Sequence, residues 1–263
     1  NKTRLLGIDA LVAIGGEDTL GVAAKLHRKF DFPVVGIPKT IDRDLSGTEY
    51  SLGFESSVQI ICEAIDNLRT TAGSHSRIFV VETMGRHTGH LALKGGLAGG
   101  ANAILIPEYS FDVNEVCVIL LARKLAGQRY SIVVVSEGAK ERNGGEILKD
   151  QALDEFGHVK LGGIGHYLAD KIEKITKLET RYVILSHLQR GGSPAAYDRR
   201  MGYYFGTAAV EAVLAQKFGT LTALVSGRVN LIPLEDAISK LRYVDVERDY
   251  DTEKYNYKQQ ILY

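Results

Sequence analysis

An α/β protein built on two parallel, helix-covered sheets is the fold class this sequence predicts, on three observations. Short apolar runs of strand length alternate with runs of helical period almost throughout, the pattern of strand–crossover–strand units. The 263 residues exceed what one such sheet needs, so two are expected. Glycines and charged residues cluster where the strands end, and open α/β sheets bind ligands at those carboxyl ends.

The elements follow in order. Ile8 to Ile14 reads as a strand, Thr19 to Phe30 as a helix, and Phe32 to Ile37 as a buried strand. A loop from Pro38 to Phe54 leads into a helix over Glu55 to Thr71, where Val58, Ile61, Cys62, Ile65 and Leu68 form one apolar stripe. Arg77 to Glu82 is a strand, His90 to Gly99 a helix, Ala103 to Pro107 a strand, Val113 to Leu125 a helix and Ser131 to Val135 a strand. Lys140 to Gly157 is polar and glycine-containing, an exposed loop or hairpin. Gly163 to Thr176 and Met201 to Lys217 are helical, with a strand at Thr180 to Leu185; Leu221 to Val225 is a short strand and Leu234 to Leu241 a helix. No fixed-period repeat or low-complexity segment is present.

Composition excludes several classes. Lys+Arg and Asp+Glu are both 32, so no net charge draws the chain to nucleic acid or a membrane surface. No apolar run approaches a bilayer span and no signal peptide is seen. Cys62 and Cys117 sit in apolar helical patterns and read as buried free thiols, which suits the cytoplasm. His75, His87, His90, His158 and His166 lack zinc-ligand spacing. There is no Gly-x-Ser-x-Gly elbow and no Gly-Lys-Ser/Thr P-loop.

Four strand ends carry chemistry. Gly15-Gly16 allows a tight turn before Glu17-Asp18-Thr19, either an anion site at a helix start or an ordinary turn. Pro38-Lys39-Thr40-Ile41-Asp42-Arg43-Asp44 places carboxylates after a strand, where one can take a proton from a hydroxyl or merely cap a turn. Met84-Gly85-Arg86 pairs a backbone approach with a forked donor for phosphate. His187 and Arg190 lie three apart before Gly191-Gly192 and can converge on one phosphate. Glu137 can accept from a sugar hydroxyl or cap the next segment. Arg77 and Arg181 begin their strands, at the opposite end from Arg86 and His187, so a functional role would turn them to a neighbouring subunit; from the residues alone an exposed strand-end arginine is the stronger reading of Arg77.

In order and nearly end to end, these motifs resemble the phosphofructokinase family: Gly-Gly-Glu-Asp-Thr at 15–19, Pro-Lys-Thr-Ile-Asp-Arg-Asp at 38–44 and Val-Glu-Thr-Met-Gly-Arg at 81–86. Ser-Glu-Gly-Ala at 136–139, Phe-Gly-His-Val-Lys-Leu-Gly-Gly-Ile-Gly at 156–165 and Ser-His-Leu-Gln-Arg-Gly-Gly-Ser-Pro at 186–194 continue the match. The resemblance implies two Rossmann-like three-layer parallel-sheet domains. Residues 1–50 would be the remainder of the donor domain, 51–190 mainly the fructose 6-phosphate domain, and 191–263 a return segment with C-terminal helices. It implies phosphoryl transfer to the 1-hydroxyl of fructose 6-phosphate, with Mg2+, in a homodimer or homotetramer sharing sites between subunits. Asp42 would be the proton acceptor; Thr40, Ile41, Met84, Gly85, Arg86 and Glu137 would line the sugar site. Arg77, Arg181, His187 and Arg190 would hold the 6-phosphate, Gly15 and Gly16 the donor, and Glu17 the metal.

Members of the family that use ATP carry glycine at the position of Asp18, and many carry glycine at that of Lys39; pyrophosphate-using members carry aspartate and lysine. A carboxylate at Asp18 would repel the α-phosphate of ATP, and Lys39 can stabilise the transferred group. Pyrophosphate is therefore the expected donor, in a reaction that runs either way in glycolysis or gluconeogenesis. The alternatives are an ATP-dependent enzyme and a non-catalytic sugar-phosphate-binding subunit. Three departures stand out. The family's N-terminal strand and glycine-rich donor loop would precede Asn1, and a few more residues are usual between Arg199 and Arg200. Arg43 stands where asparagine is usual.

Overall fold

The computed structural model describes residues 7–142, 148–153, 159–161 and 163–259, the second and third of these ranges as backbone only. His158, and 156–158 and 162 of the 156–165 motif, lie outside the described residues. The chain divides into two compact units, Asn1–Ser56 with Ser193–Arg242, and Ser57–Gly192 with Tyr243–Tyr263. The chain therefore passes from one unit to the other after Ser56, after Gly192 and after Arg242, and the last stretch belongs to the second unit.

The first unit is built on a sheet of four strands. β1 (Leu11–Gly15) pairs in parallel with β2 (Val34–Pro38) through α1 (Glu17–Phe30). β2 pairs in parallel with β9 (Thr220–Val225), and β9 turns back into the antiparallel β10 (Arg228–Pro233). α1 forms because Leu20, Ala23 and Ala24 recur at helical spacing and all three bury against Val34, Leu221 and Leu234. Full burial of a leucine such as Leu20 contributes about 1.5–3 kcal/mol. The helix stops at Asp31, whose left-handed φ of 48° turns the chain before Pro33. α6 (Ala196–Leu214) and the one-turn helix α7 (Leu234–Ile238) complete this unit.

The second unit carries a wholly parallel sheet in the order β4 (Ala103–Leu105), β5 (Ser131–Ser136), β3 (Ile78–Thr83), β8 (Thr180–Ile184). β3 and β5 are buried at every position, which explains their apolar centres, Ile78–Val81 and Ile132–Val135. α2 (Phe54–His75) enters this unit from the first, and α3 (His90–Ala98), α4 (Val113–Leu125) and α5 (Ile164–Thr176) follow. α4 starts on Asp112, whose carboxylate accepts from the Asn114 N–H at 2.8 Å. The polar stretch after Lys140 contains an antiparallel pair, β6 (Leu148–Leu153) and β7 (Val159–Leu161).

The chain's last described segment adds α8 (Val246–Asp249) and the small pair β11 (Tyr250–Asp251) and β12 (Asn256–Tyr257). Tyr250 and Tyr255 are the largest fully buried side chains, and the Tyr250 hydroxyl donates to the Ile104 carbonyl at 2.6 Å. The parallel two-sheet α/β architecture is as expected, with two corrections. β10 makes the first sheet mixed rather than parallel. Cys62 is half-buried rather than buried, because it faces Asp66 at the margin of α2's apolar stripe, whereas Cys117 is buried; both are free thiols.

Candidate active site

In the first unit, strand register brings two loops side by side. Gly15 at the end of β1 is opposite Pro38 at the end of β2, and the Lys39 N–H donates to the Gly15 carbonyl at 2.9 Å. Gly16, Glu17 and Asp18 therefore emerge beside Lys39, Thr40 and Asp42. A Cβ on Gly16 would stand 3.4 Å from the Thr40 Cβ, so the two loops are in contact. Gly16 caps α1 without a side-chain bond, leaving the first N–H groups of the helix to solvent or a ligand. Glu17, Asp18 and Lys39 are exposed.

Thr40 and Asp42 form a local pair. The Thr40 hydroxyl donates to Asp42 Oδ2 at 3.1 Å, and the Asp42 N–H donates to the Thr40 Oγ1 at 3.2 Å. The Ser51 hydroxyl holds the Thr40 carbonyl at 2.7 Å. The carboxylate is thus oriented by its own loop. Asp44 is less exposed than a surface aspartate, and its carboxyl is pushed up to about 7, first by burial and then by the charges of Asp42 and Glu17. Ile41 packs against Gly53.

A single buried carboxylate supports this loop from behind. Asp198, in the first turn of α6, accepts from the Tyr50 hydroxyl at 2.6 Å, the Gly53 N–H at 2.7 Å, the Ser56 N–H at 2.8 Å and the Ser56 hydroxyl at 2.5 Å. Two of those donors belong to the opening of α2, so Asp198 caps that helix from another element. Sequence reasoning missed it: the signal, an acidic residue near a helix start, fits an ordinary first-turn residue equally well.

In the second unit, the ends of β3, β5 and β8 meet. Thr83, Met84, Glu82, Glu137, Gly163, Ile184 and Ser186 line a cavity of about 60 Å³. Gly85 has a φ of +127°, and a Cβ there would stand 2.6 Å from both the Ser136 hydroxyl and the Thr88 carbonyl oxygen. The Ser136 hydroxyl donates to the Gly85 carbonyl at 2.5 Å, and the Gly138 N–H donates to it at 3.2 Å. Met84, Arg86 and Glu137 are half-buried beside this turn.

Residues 186–190 form a single 3-10 turn. Its three-residue period puts His187 and Arg190 on one face, both exposed, while Gln189 is buried. Arg77 and Arg181 lie at the other end of the same sheet, roughly 20 Å along six-residue β3 from Met84. There each faces Glu179, at 2.6 Å from Arg77 Nε and 2.6 Å from Arg181 Nη2. Within this unit they do not join His187 and Arg190. Sequence reasoning also missed Glu82, whose carboxylate accepts the Gly163 and Gly165 N–H groups at the start of α5, and Thr83, whose buried hydroxyl meets no partner among the described residues.

Among the described residues no group of three or more His, Cys, Asp or Glu side chains is arranged to hold a metal ion. Magnesium needs less than that: it binds through one or two carboxylates, its own waters and substrate phosphates. Glu17 with Asp44, whose carboxyls already sense each other, fit that modest requirement. No described helix is long and apolar enough to cross a membrane.

Residues 1–213 match the family profile described as phosphofructokinase. A pyrophosphate–fructose 6-phosphate 1-phosphotransferase of Streptomyces coelicolor is 52% identical over 240 residues, 91% of this chain and 70% of that protein. An ATP-dependent 6-phosphofructokinase of Chloroflexus aurantiacus is 46% identical over 244 residues, 93% of this chain and 66% of that one. A solved pyrophosphate-dependent phosphofructokinase of Nitrosospira multiformis superposes with a TM-score of 0.83 at 24% identity, over 97% of this chain and 66% of that one, which shows the shared fold.

Proposed function

This chain belongs to the phosphofructokinase family, a family of phosphotransferases, and from that premise we propose that the full protein transfers a phosphoryl group from pyrophosphate to the 1-hydroxyl of fructose 6-phosphate. The observation that carries the reading is the pairing of the Gly15–Asp18 and Lys39–Asp42 loops at adjacent strand ends. Asp42, oriented by Thr40, accepts the proton of the attacking hydroxyl. The sugar oxygen bonds to the distal phosphorus as the bridging P–O bond breaks, and inorganic phosphate leaves with the bridging oxygen. Lys39 and the open N–H groups of α1 stabilise the charge on the phosphoryl oxygens. Bound magnesium, held by Glu17 with Asp44, would supply further positive charge to the donor phosphates.

The second unit supplies the acceptor groups. Met84, Gly85, Arg86 and Glu137 meet the sugar, and His187 with Arg190 meet the 6-phosphate. Arg77 and Arg181, remote from that turn in their own unit, serve the 6-phosphate of a neighbouring copy in a homodimer or homotetramer. Asp18 argues for pyrophosphate over ATP, since an exposed carboxylate in the first turn of α1 opposes a longer polyphosphate there. The relative named for ATP keeps the ATP-dependent reading as the second one.

The test is a steady-state assay of the full-length protein with fructose 6-phosphate, magnesium and either donor. Turnover with pyrophosphate and little with ATP is expected, and Asp18→Gly should narrow the difference. Turnover with ATP alone refutes the donor assignment. Sugar-phosphate binding without turnover on either donor refutes the enzymatic reading.

A further inference from the structure

The turn that carries the reacting carboxylate is built around a residue whose side chain the proposed chemistry does not use. Arg43 lies between Asp42 and Asp44 with a φ of 56°. L side chains other than asparagine and aspartate seldom adopt this left-handed conformation, and where they do the surroundings must hold it. Here they do. Arg43 Nε donates to the Glu49 carbonyl at 2.7 Å, and the guanidinium carbon sits 5.0 Å above the centroid of the Phe54 ring. Phe54 is fully buried at the start of α2.

Glu49 is itself fixed. Its N–H donates to the Leu224 carbonyl at 2.8 Å, its carboxylate accepts the Ser226 N–H at 2.8 Å, and Arg242 Nη1 reaches its carbonyl at 3.3 Å. The Arg242 N–H holds the Asp44 carbonyl at 2.7 Å. The side chain of Arg43 thus fastens the turn to a segment anchored on β9. The guanidinium is engaged by the Glu49 carbonyl and the Phe54 ring, so it acts on the turn through the backbone.

We propose that Arg43 is a positioning residue: its guanidinium, held by the Glu49 carbonyl and the Phe54 ring, locks the left-handed turn that fixes the Asp42 and Asp44 carboxylates relative to each other. The proposal rests on the assignment of Asp42 as the base. Arg43→Met removes both attachments, Arg43→Asn suits the backbone but lacks the attachments, and Arg43→Lys keeps the charge and part of the ring contact.

Two readouts on the full-length protein test it. In turnover, Met and Asn at this position should lower kcat by about tenfold or more, with KM for fructose 6-phosphate within about twofold of the parent and Lys recovering part of the loss. The acid limb of the pH profile should stay within about half a unit, because the guanidinium is held on the Glu49 carbonyl and the Phe54 ring. In hydrogen exchange, amides of residues 40–46 should exchange about tenfold faster in Arg43→Met while α4 and α5 are unchanged. A kcat within about twofold of the parent in both Met and Asn variants, or unchanged exchange, overturns the proposal. A shifted acid limb overturns it in favour of a direct electrostatic role. Exchange needs no turnover: faster exchange in a protein without activity sinks the assignment of Asp42 while leaving the clamp intact.

Discussion

Replacing Asp198 by asparagine isolates what holds the loop behind the proposed base. The carboxylate is 6% exposed and accepts four hydrogen bonds, two on each oxygen. Asparagine keeps one acceptor oxygen, and its NH2 group must face either the Tyr50 hydroxyl and the Gly53 N–H or the two Ser56 donors. One oxygen's pair of bonds is lost, and at least one buried N–H is left facing another donor. A hydrogen bond to a charged acceptor contributes about 1.5–3 kcal/mol, and an unsatisfied buried donor costs about 1–3 kcal/mol. Losing one pair and stranding one donor gives a net loss of about 3–5 kcal/mol, which for a chain of this size lowers Tm by roughly 10 °C. Calorimetry and urea unfolding of the full-length Asp198→Asn protein measure it directly. A loss under about 1 kcal/mol would refute the reasoning, since it would mean that the four bonds do not act as one buried cap.

The other predictions follow from the same geometry. Asp42→Asn should lower kcat by about 100-fold or more while the Kd for fructose 6-phosphate, read by calorimetry, changes little; a near-normal kcat excludes Asp42 as the base. Gly138→Ala places a Cβ 1.9 Å from the Arg86 carbonyl oxygen, so the Met84–Arg86 turn must move. Its effect should appear as a KM for fructose 6-phosphate raised by about tenfold or more, and an unchanged KM counts against that turn as the sugar site. Asp44, raised to about 7 in the fold, contributes stability that is complete below its ordinary pKa of 3.8 and is lost as pH rises through about 7. In EDTA, Asp44→Asn should therefore match the parent near pH 4 and exceed it near pH 8 by on the order of 2–4 kcal/mol in urea unfolding, whereas parallel pH curves contradict the burial of that carboxyl.

Most of the strand and helix order was legible because buried parallel strands announce themselves. Val133, Val134 and Val135 lie in a strand covered on both faces, so the sequence shows an unbroken apolar run. Val113–Leu125 is bounded by an Asp112 cap and a terminal Ala-Gly, and its limits match the reading. Short elements were not read. β10 alternates polar and apolar residues and pairs with β9 through the two-residue loop Ser226-Gly227, a local hairpin signal that the reading of Leu221 to Val225 as a lone strand passed over. α7 ends at Ile238, three residues before the expected Leu241, because Leu241 bridges to Leu45 instead of continuing the helix. β11 and β12 are two residues each, held by the burial of Tyr250 and Tyr255 rather than by propensity.

At the candidate site, the residues proposed to react were marked in the sequence and their supports were not. Asp42, Lys39, Met84 and Arg190 stand in short motifs at strand ends, where chemistry is expected. Asp198 lies 142 residues from the Ser56 it holds, and Glu82 lies 83 from Gly165, so nothing local marks either as a cap. Arg43 is the intermediate case: its position in the motif was visible, but the left-handed φ that gives its side chain a task appears only in three dimensions.

The charges around α1 bear on the donor more closely than either residue does alone. The N-terminus of a helix favours anions, yet this one already carries Glu17 and Asp18 in its first turn. Those carboxylates offset part of the helix field, and Asp44 is already pushed toward its neutral form, first by burial and then by Asp42 and Glu17. A polyanionic donor entering such a site needs added positive charge. Lys39 supplies one unit at the neighbouring strand end, and a divalent cation on Glu17 supplies two more. With both present the balance suits a short, doubly charged group held end-on, and each further phosphate would add repulsion from Asp18 without a new cation to meet it. Removing Lys39 while keeping Asp18 should therefore harm use of pyrophosphate more than removing Asp18 while keeping Lys39. The double variant should be the one most tolerant of ATP relative to pyrophosphate. That ordering, read from kcat/KM for the two donors across the three variants, separates charge balance from simple steric exclusion, which would make Asp18→Gly alone sufficient.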